Sequence, residues 1–93
     1  MSVIISLPTP LQRYAGGEAE VLVDTAATVG EALKALTDAN PALSPHLLDP
    51  QGKVRSYVNV YLGDEDTRYL KGLDTPVADG DKLVIVPSIA GGC

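Results

Sequence analysis

Residues 82–89 read KLVIVPSI, and this run decides how the rest of the chain must be arranged. Five of its eight residues are Leu, Val or Ile, with no alternation to mark a wet side. That is the pattern of a strand buried on both faces, which belongs in the middle of a sheet. Its natural neighbour lies at the other end of the chain. There Val3, Ile5 and Leu7 alternate with Ile4 and Ser6 at the period of a strand, and Pro8 and Pro10 stop it.

Working inward, AEVLVD (19–24) places Val21 and Val23 on one face, and LQRYAGG (11–17) connects it to the first strand. The two strands and their glycine-containing loop predict an N-terminal hairpin. The period then changes. Thr28 followed three residues later by Glu31 has the form of a capping box. Val29, Ala32, Leu33 and Leu36 fall on one helical face behind it. Asn40-Pro41 closes the helix, because Pro disfavours helical geometry in the residue before it. SPHLLDP (44–50) predicts one more helical turn, with Ser44 as cap and Pro45 in the first position. In YVNVYL (57–62), Val58, Val60 and Leu62 point one way and Tyr57, Asn59 and Tyr61 the other. The turn-rich stretch that follows leaves room for a short edge strand around residues 68–70.

Composition sets the bounds. The chain has 93 residues, 45% hydrophobic and 20% charged, which suits one globular domain. With no Trp and no Phe, the core must be built from Val, Leu, Ile and Ala, with some of the four Tyr. A net charge of −5 argues against nucleic acid, whose phosphates need Lys and Arg. The one Cys cannot form an internal disulfide, so nothing points to an oxidising compartment. MSVIISLPTP lacks a basic leader region and is too short an apolar run to span a membrane. A cytoplasmic protein is the expectation.

Few residues invite chemistry of their own. ADGDK (78–82) reads as an Asp-Gly turn, since it lacks the alternate acidic ligands and distant Glu of a calcium loop. GDED (63–66) reads as a solvated face, with electrostatic docking of Asp64, Glu65 and Asp66 to a basic groove as the alternative. His46 has no Cys, Ser or Asp spaced around it as a triad or metal set, so it reads as a surface or cap histidine. No bound metal or cofactor is expected.

With the element order in hand, VNVYLGDEDTRYLKGLDTPVADGDKLVIVPSIAGG (58–92) resembles the ThiS/MoaD/CysO family of ubiquitin-like sulfur carriers. The residues that carry the resemblance are Asn59, Asp64, Glu65, Asp66, Leu73, Asp79-Gly80-Asp81, Pro87, Ala90, Gly91 and Gly92. The hairpin and TVGEALKAL (28–36) fall in the matching places, and the PT, NPAL and DPQG stretches are similar to the cysteine-biosynthesis carriers.

The resemblance implies an α+β, ubiquitin-like β-grasp: a mixed four- to five-stranded sheet packed on one main helix, residues 1–87, followed by a flexible tail, 88–93. It implies a carrier rather than an enzyme. A ubiquitin-activating-type enzyme uses ATP to adenylate the terminal glycine carboxylate, a sulfur donor converts it to a thiocarboxylate, and a cysteine-synthase-like acceptor takes the sulfur. Ala90, Gly91 and Gly92 would thread the partner's channel, since glycine has no Cβ to obstruct it. Val60 and Leu62, or the opposite sheet face, are the candidate partner contacts. A ubiquitin-like protein modifier and a molybdopterin-synthase-type small subunit remain alternatives.

Cys93 departs from the family pattern, because it locks the Gly92 carboxyl in an amide. Three readings stay open. A zinc-dependent JAMM-type hydrolase removes it as a precursor cap; or it copies the carrier–cysteine product that the same hydrolase would release; or it is an added or inert exposed thiol.

Overall fold

The structure, a computed structural model, describes residues 2–24, 27–55 and 58–87. Strand β1 (Ser2–Ser6) and β2 (Glu20–Asp24) form the predicted antiparallel hairpin, with Val3 opposite Val23 and Ile5 opposite Val21. Between them the chain does not run as a plain loop. Pro10, early in a short helix α1 (Thr9–Gln12), suits a first turn where its missing N–H is no loss, and a 3-10 turn, Arg13–Ala15, follows.

Helix α2 (Val29–Ala39) begins where the sequence predicts. Thr28 Oγ1 accepts from the Glu31 N–H at 3.2 Å, while Glu31 Oε1 accepts from the Ala27 N–H at 2.8 Å. The return bond thus falls one residue before the cap. The Thr28 backbone is instead part of a bridge to Pro76, flanked by Val29 N–H to Thr75 O (2.9 Å) and Val77 N–H to Ala27 O (3.0 Å). The helix ends at Asn40, whose N–H donates to Leu36 O. A 3-10 turn, Pro41–Leu43, leads directly into α3 (Ser44–Leu47). Because helical geometry is already established at Leu43, Leu43 is the N-cap and Ser44 makes no capping bond, contrary to the expectation.

Strands β3 (Val58–Leu62), β4 (Glu65–Asp66) and β5 (Lys82–Pro87) complete a five-stranded sheet in the order β2-β1-β5-β3-β4. β5 runs parallel to β1 and antiparallel to β3. A mixed sheet of this order with α2 on one face is the ubiquitin-like β-grasp. The edge strand lies at Glu65–Asp66 rather than at 68–70, where a 3-10 turn, Thr67–Tyr69, stands instead. Gly63, at φ 63°, makes the two-residue β3–β4 turn, which fixes pairing immediately after it.

One face of the sheet carries the core. Val3, Ile5, Val58, Val60, Leu83 and Ile85 meet Val29, Ala32, Leu33 and Leu36 of α2, with Leu43 and Leu47 beside them. Each fully buried side chain of this kind contributes about 1.5–3 kcal/mol. Close contact of α2 with a 3-10 turn, Gly72–Asp74, depends on Gly30. A Cβ there would stand 3.1 Å from Leu73 O and 3.2 Å from Leu73 Cβ.

The expectation for KLVIVPSI is half right. β5 is central, but only its Leu83–Ile85 side is buried. Val84 is half-buried and Val86 is 40% exposed. Among the described residues the helices lie on the inner face alone, which leaves Val86 open on the outer one. Ser88 and Ile89 lie outside the described residues.

Candidate functional site

Ala90, Gly91, Gly92 and Cys93 lie outside the described residues, as does Tyr57. The fold nonetheless fixes where the chain hands over to them. Up to Val84 the central strand is paired on both sides, with β1 and with β3. From Ile85 onward only β3 continues, and the last pair is Val58 with Pro87. The tail therefore starts beside Val58, from a strand held in the middle of the sheet.

The start of that strand is anchored by the Asp79-Gly80-Asp81 turn. Asp79 Oδ1 accepts from the Ser2 N–H (2.7 Å) and Asp81 Oδ2 from the Ala78 N–H (2.8 Å). Gly80, at φ 86°, donates its N–H to Ser2 O (2.7 Å). These carboxylates shape a turn that ties β5 to β1, which is the reading the sequence favoured. Among the described residues, no three His, Cys, Asp or Glu stand close enough to hold a metal ion, and no helix is long and apolar enough to cross a membrane.

The predicted docking residues are separated by the sheet. Val60 is only 3% exposed and belongs to the core, so its side chain is withdrawn from any contact surface. Leu62 is half-buried against the same core, with Glu65 opposite it. Asp64 is exposed in the turn. Asp66 pairs with Tyr61 on the opposite face, and its Oδ1 also accepts from the Arg68 N–H (2.9 Å), capping the turn that follows.

The opposite face is the open one. A row runs across all five strands through Glu20, Ser6, Val84, Tyr61 and Asp66. Beside it lie Leu22 and Ile4, directly paired, and Val86 opposite Asn59. Leu22 is 68% exposed, the most open aliphatic side chain on the face. The Lys82–Glu20 ion pair (3.0 Å) crosses the surface between these groups. An apolar strip bordered by charged and polar groups is suited to covering by a protein partner.

Two local devices escaped the sequence reading. His46 stacks on Tyr14, ring centroids 4.3 Å apart at 24°, with the Arg13 guanidinium 5.7 Å from the Tyr14 centroid. Asp49 organises the 48–54 loop, its Oδ1 accepting from the N–H groups of Lys53 (3.0 Å) and Gln51 (2.8 Å). The Lys53 amide, ahead of the Gln51 amide, holds the Asp49 carboxyl below the usual carboxylate range.

The ThiS family's sequence profile matches residues 5–92. The chain belongs to the ThiS family. It is 39% identical over 94 residues to the sulfur carrier protein CysO of Mycobacterium tuberculosis H37Rv, covering 99% of this chain and 100% of that one. Among solved structures, a chain of the Amycolatopsis orientalis BexX/CysO complex superposes with a TM-score of 0.86 at 38% identity, covering 97% of this chain and 99% of the other. SAMP1 from Haloferax volcanii gives 0.85 at 34% identity, covering 99% and 100%. These likenesses extend over the β-grasp as a whole, so the family's fold and this chain's fold are the same.

Proposed function

We propose that this ThiS-family protein is a sulfur carrier, a co-substrate of partner enzymes rather than a catalyst. The observation that carries the reading is the full-length similarity to a protein named as a sulfur carrier, joined to a Gly91-Gly92 segment that follows the central strand. The reacting group is the Gly92 carboxylate, exposed once a JAMM-type zinc hydrolase cleaves the Gly92–Cys93 amide.

A carboxylate is a poor electrophile. In a ubiquitin-activating-type enzyme, its oxygen attacks the α-phosphorus of ATP and pyrophosphate leaves. A sulfide-level donor then attacks the acyl carbon and AMP departs, leaving a thiocarboxylate. That sulfur is a good nucleophile at neutral pH, and the tether positions it in an acceptor enzyme, cysteine-synthase-like in this proposal. If the acceptor is a serine whose hydroxyl carries a leaving group, the sulfur replaces that group at the β-carbon, the acyl group shifts from sulfur to the α-nitrogen, and the product is carrier-Gly-Gly-Cys. An encoded Cys93 then enters the cycle at its hydrolytic last step. The open sheet face supplies the docking surface for the activating enzyme, and the setting is cytoplasmic.

Intact mass spectrometry tests the sequence of events. Incubation with the hydrolase should remove one cysteinyl residue, and activating enzyme with ATP and sulfide should then exchange one oxygen for sulfur. A chain that resists the hydrolase overturns the role given to Cys93. A Gly92-ended chain that never gains sulfur overturns the carrier reading. The similarity to SAMP1, named a small archaeal modifier protein, favours one second reading, a protein modifier. It would reveal itself as Gly92 joined to lysines of other proteins.

A further inference from the structure

Pro87, the last described residue before the tail, lies opposite Val58, so how firmly Val58 is held decides where the tail begins. Gly63 N–H donates to Lys82 O (3.0 Å), which sets the alternation of the β3–β5 ladder. Tyr61–Val84 and Asn59–Val86 are its hydrogen-bonded pairs, and Val58–Pro87 is not, as suits a proline without an N–H. Val58 and Val60 therefore turn their carbonyls away from β5, toward the outer edge of β3.

Among the described residues, β4 covers that edge only beside Tyr61 and Leu62. Ahead of them, side chains of the Thr67–Tyr69 turn take the place of a strand. The Thr67 hydroxyl donates to Val60 O at 2.9 Å, and Arg68 Nη2–H donates to Val58 O at 2.7 Å. The Val58 N–H donates to Arg55 O at 2.9 Å, so both main-chain groups of Val58 are held. Asp66 Oδ1, accepting from the Arg68 N–H, fixes the turn that carries the arginine. Arg68 makes a further interaction as well; the bond to Val58 O is the one that reaches the strand end.

The two bonds serve different ends. Thr67 is 5% exposed, and Val60, opposite Ile85, belongs to the core, so that hydroxyl secures the interior. Arg68 is exposed, and its bond closes on the residue beside Pro87. We propose that Arg68 is a positioning residue for sulfur loading: by holding Val58 it keeps the end of β5 on the sheet and sets the point from which Gly91-Gly92 is delivered. This rests on the reading of Gly92 as the acyl terminus. Without the bond, β3 frays from Val58 and the Asn59–Val86 pair opens more often. The partner must then re-order the base of the tail on binding. That cost is the same in the ground and transition states, so it enters KM and leaves kcat.

Steady-state loading of the Gly92-ended protein, read by mass with activating enzyme, ATP and sulfide, tests this beside hydrogen exchange and urea unfolding. Arg68→Met keeps the apolar stem and removes the donors. It should raise KM about tenfold, the cost of ordering one residue, with kcat unchanged. Exchange should quicken at the Asn59 and Val86 amides and stay as in wild type in the β1–β2 hairpin. Thr67→Val removes the neighbouring bond; it should lower the urea midpoint more than Arg68→Met does and leave KM alone. If Arg68→Met does not fold, Arg68→Gln, neutral and too short to reach, carries the same comparison. An equal rise in KM for Thr67→Val reduces both residues to a structural role and overturns the proposal, as does an unchanged KM in a folded Arg68 variant. A wild-type chain that gains no sulfur at all fails the carrier reading itself, whereas normal loading by both wild type and Arg68 variant fails this proposal alone.

Discussion

On β5, Leu83 and Ile85 are 0% and 2% exposed, whereas Val86, one residue on, is 40% exposed. The backbone ladder is the same on both sides, and the residue types are nearly so. What differs is the covering layer. Inward side chains meet α2, α3 and the Gly72–Asp74 turn; outward ones meet solvent beside Leu22, Ile4 and Tyr61. Stability therefore resides on one face, while the other stays open and is the docking surface proposed above. Neighbouring positions on one strand should respond oppositely to the same change.

Ile85→Thr should show the largest effect. It deletes buried methylene volume and places a hydroxyl among Val60, Leu83 and the helix layer. Lost burial and an unpaired polar group together cost about 2–5 kcal/mol, a large part of the about 5–15 kcal/mol expected for a domain. Urea unfolding should record a matching drop in midpoint with little change in slope. A loss under 1 kcal/mol would mean that the inner face is not the stabilising one.

Gly30→Val comes next and probes the covering layer itself. Its Cβ would meet the Leu73 main chain at 3.1 Å, and the branched side chain adds bulk beyond that point. Displacing the Gly72–Asp74 turn from α2 should cost about 1–3 kcal/mol by overpacking. Hydrogen exchange should quicken at Val29 and Thr75, where the N–H of Val29 donates to Thr75 O. Unchanged exchange there would show that the turn and helix are not mechanically joined.

Much of this division was legible in the sequence. Alternation fixed the sides of β1 and β3, and the Thr28–Glu31 pattern located α2, because both signals are local. The one-sidedness of β5 was not legible. An unbroken apolar run states that the residues avoid water, but not whether helices or another protein will cover them. Val60 was offered as a contact for the same reason: strand periodicity separates two faces without saying which one the helix takes. The His46–Tyr14 stack joins residues 32 positions apart, and no periodic pattern links them. α1 and the 3-10 turns at Arg13–Ala15 and Gly72–Asp74 were hidden beside Pro and Gly positions that read equally well as loop.

Val86→Thr should have the smallest effect on stability and the sharpest effect on function. Threonine keeps the β-branched shape that suits a strand, and the site is open, so the unfolding midpoint should move by no more than about 0.5 kcal/mol. The hydroxyl is solvated in the free carrier. If the activating enzyme covers this face, that hydroxyl must shed its water without gaining a designed partner. A penalty near 1.4 kcal/mol corresponds to about a tenfold loss in kcat/KM for sulfur loading. Ile85→Thr, assayed well below its own unfolding midpoint, should load nearly normally, because the face it alters is not the one presented. Equal loading by wild type and Val86→Thr would place the partner elsewhere. Impaired loading by a still-folded Ile85→Thr would break the separation of the two faces.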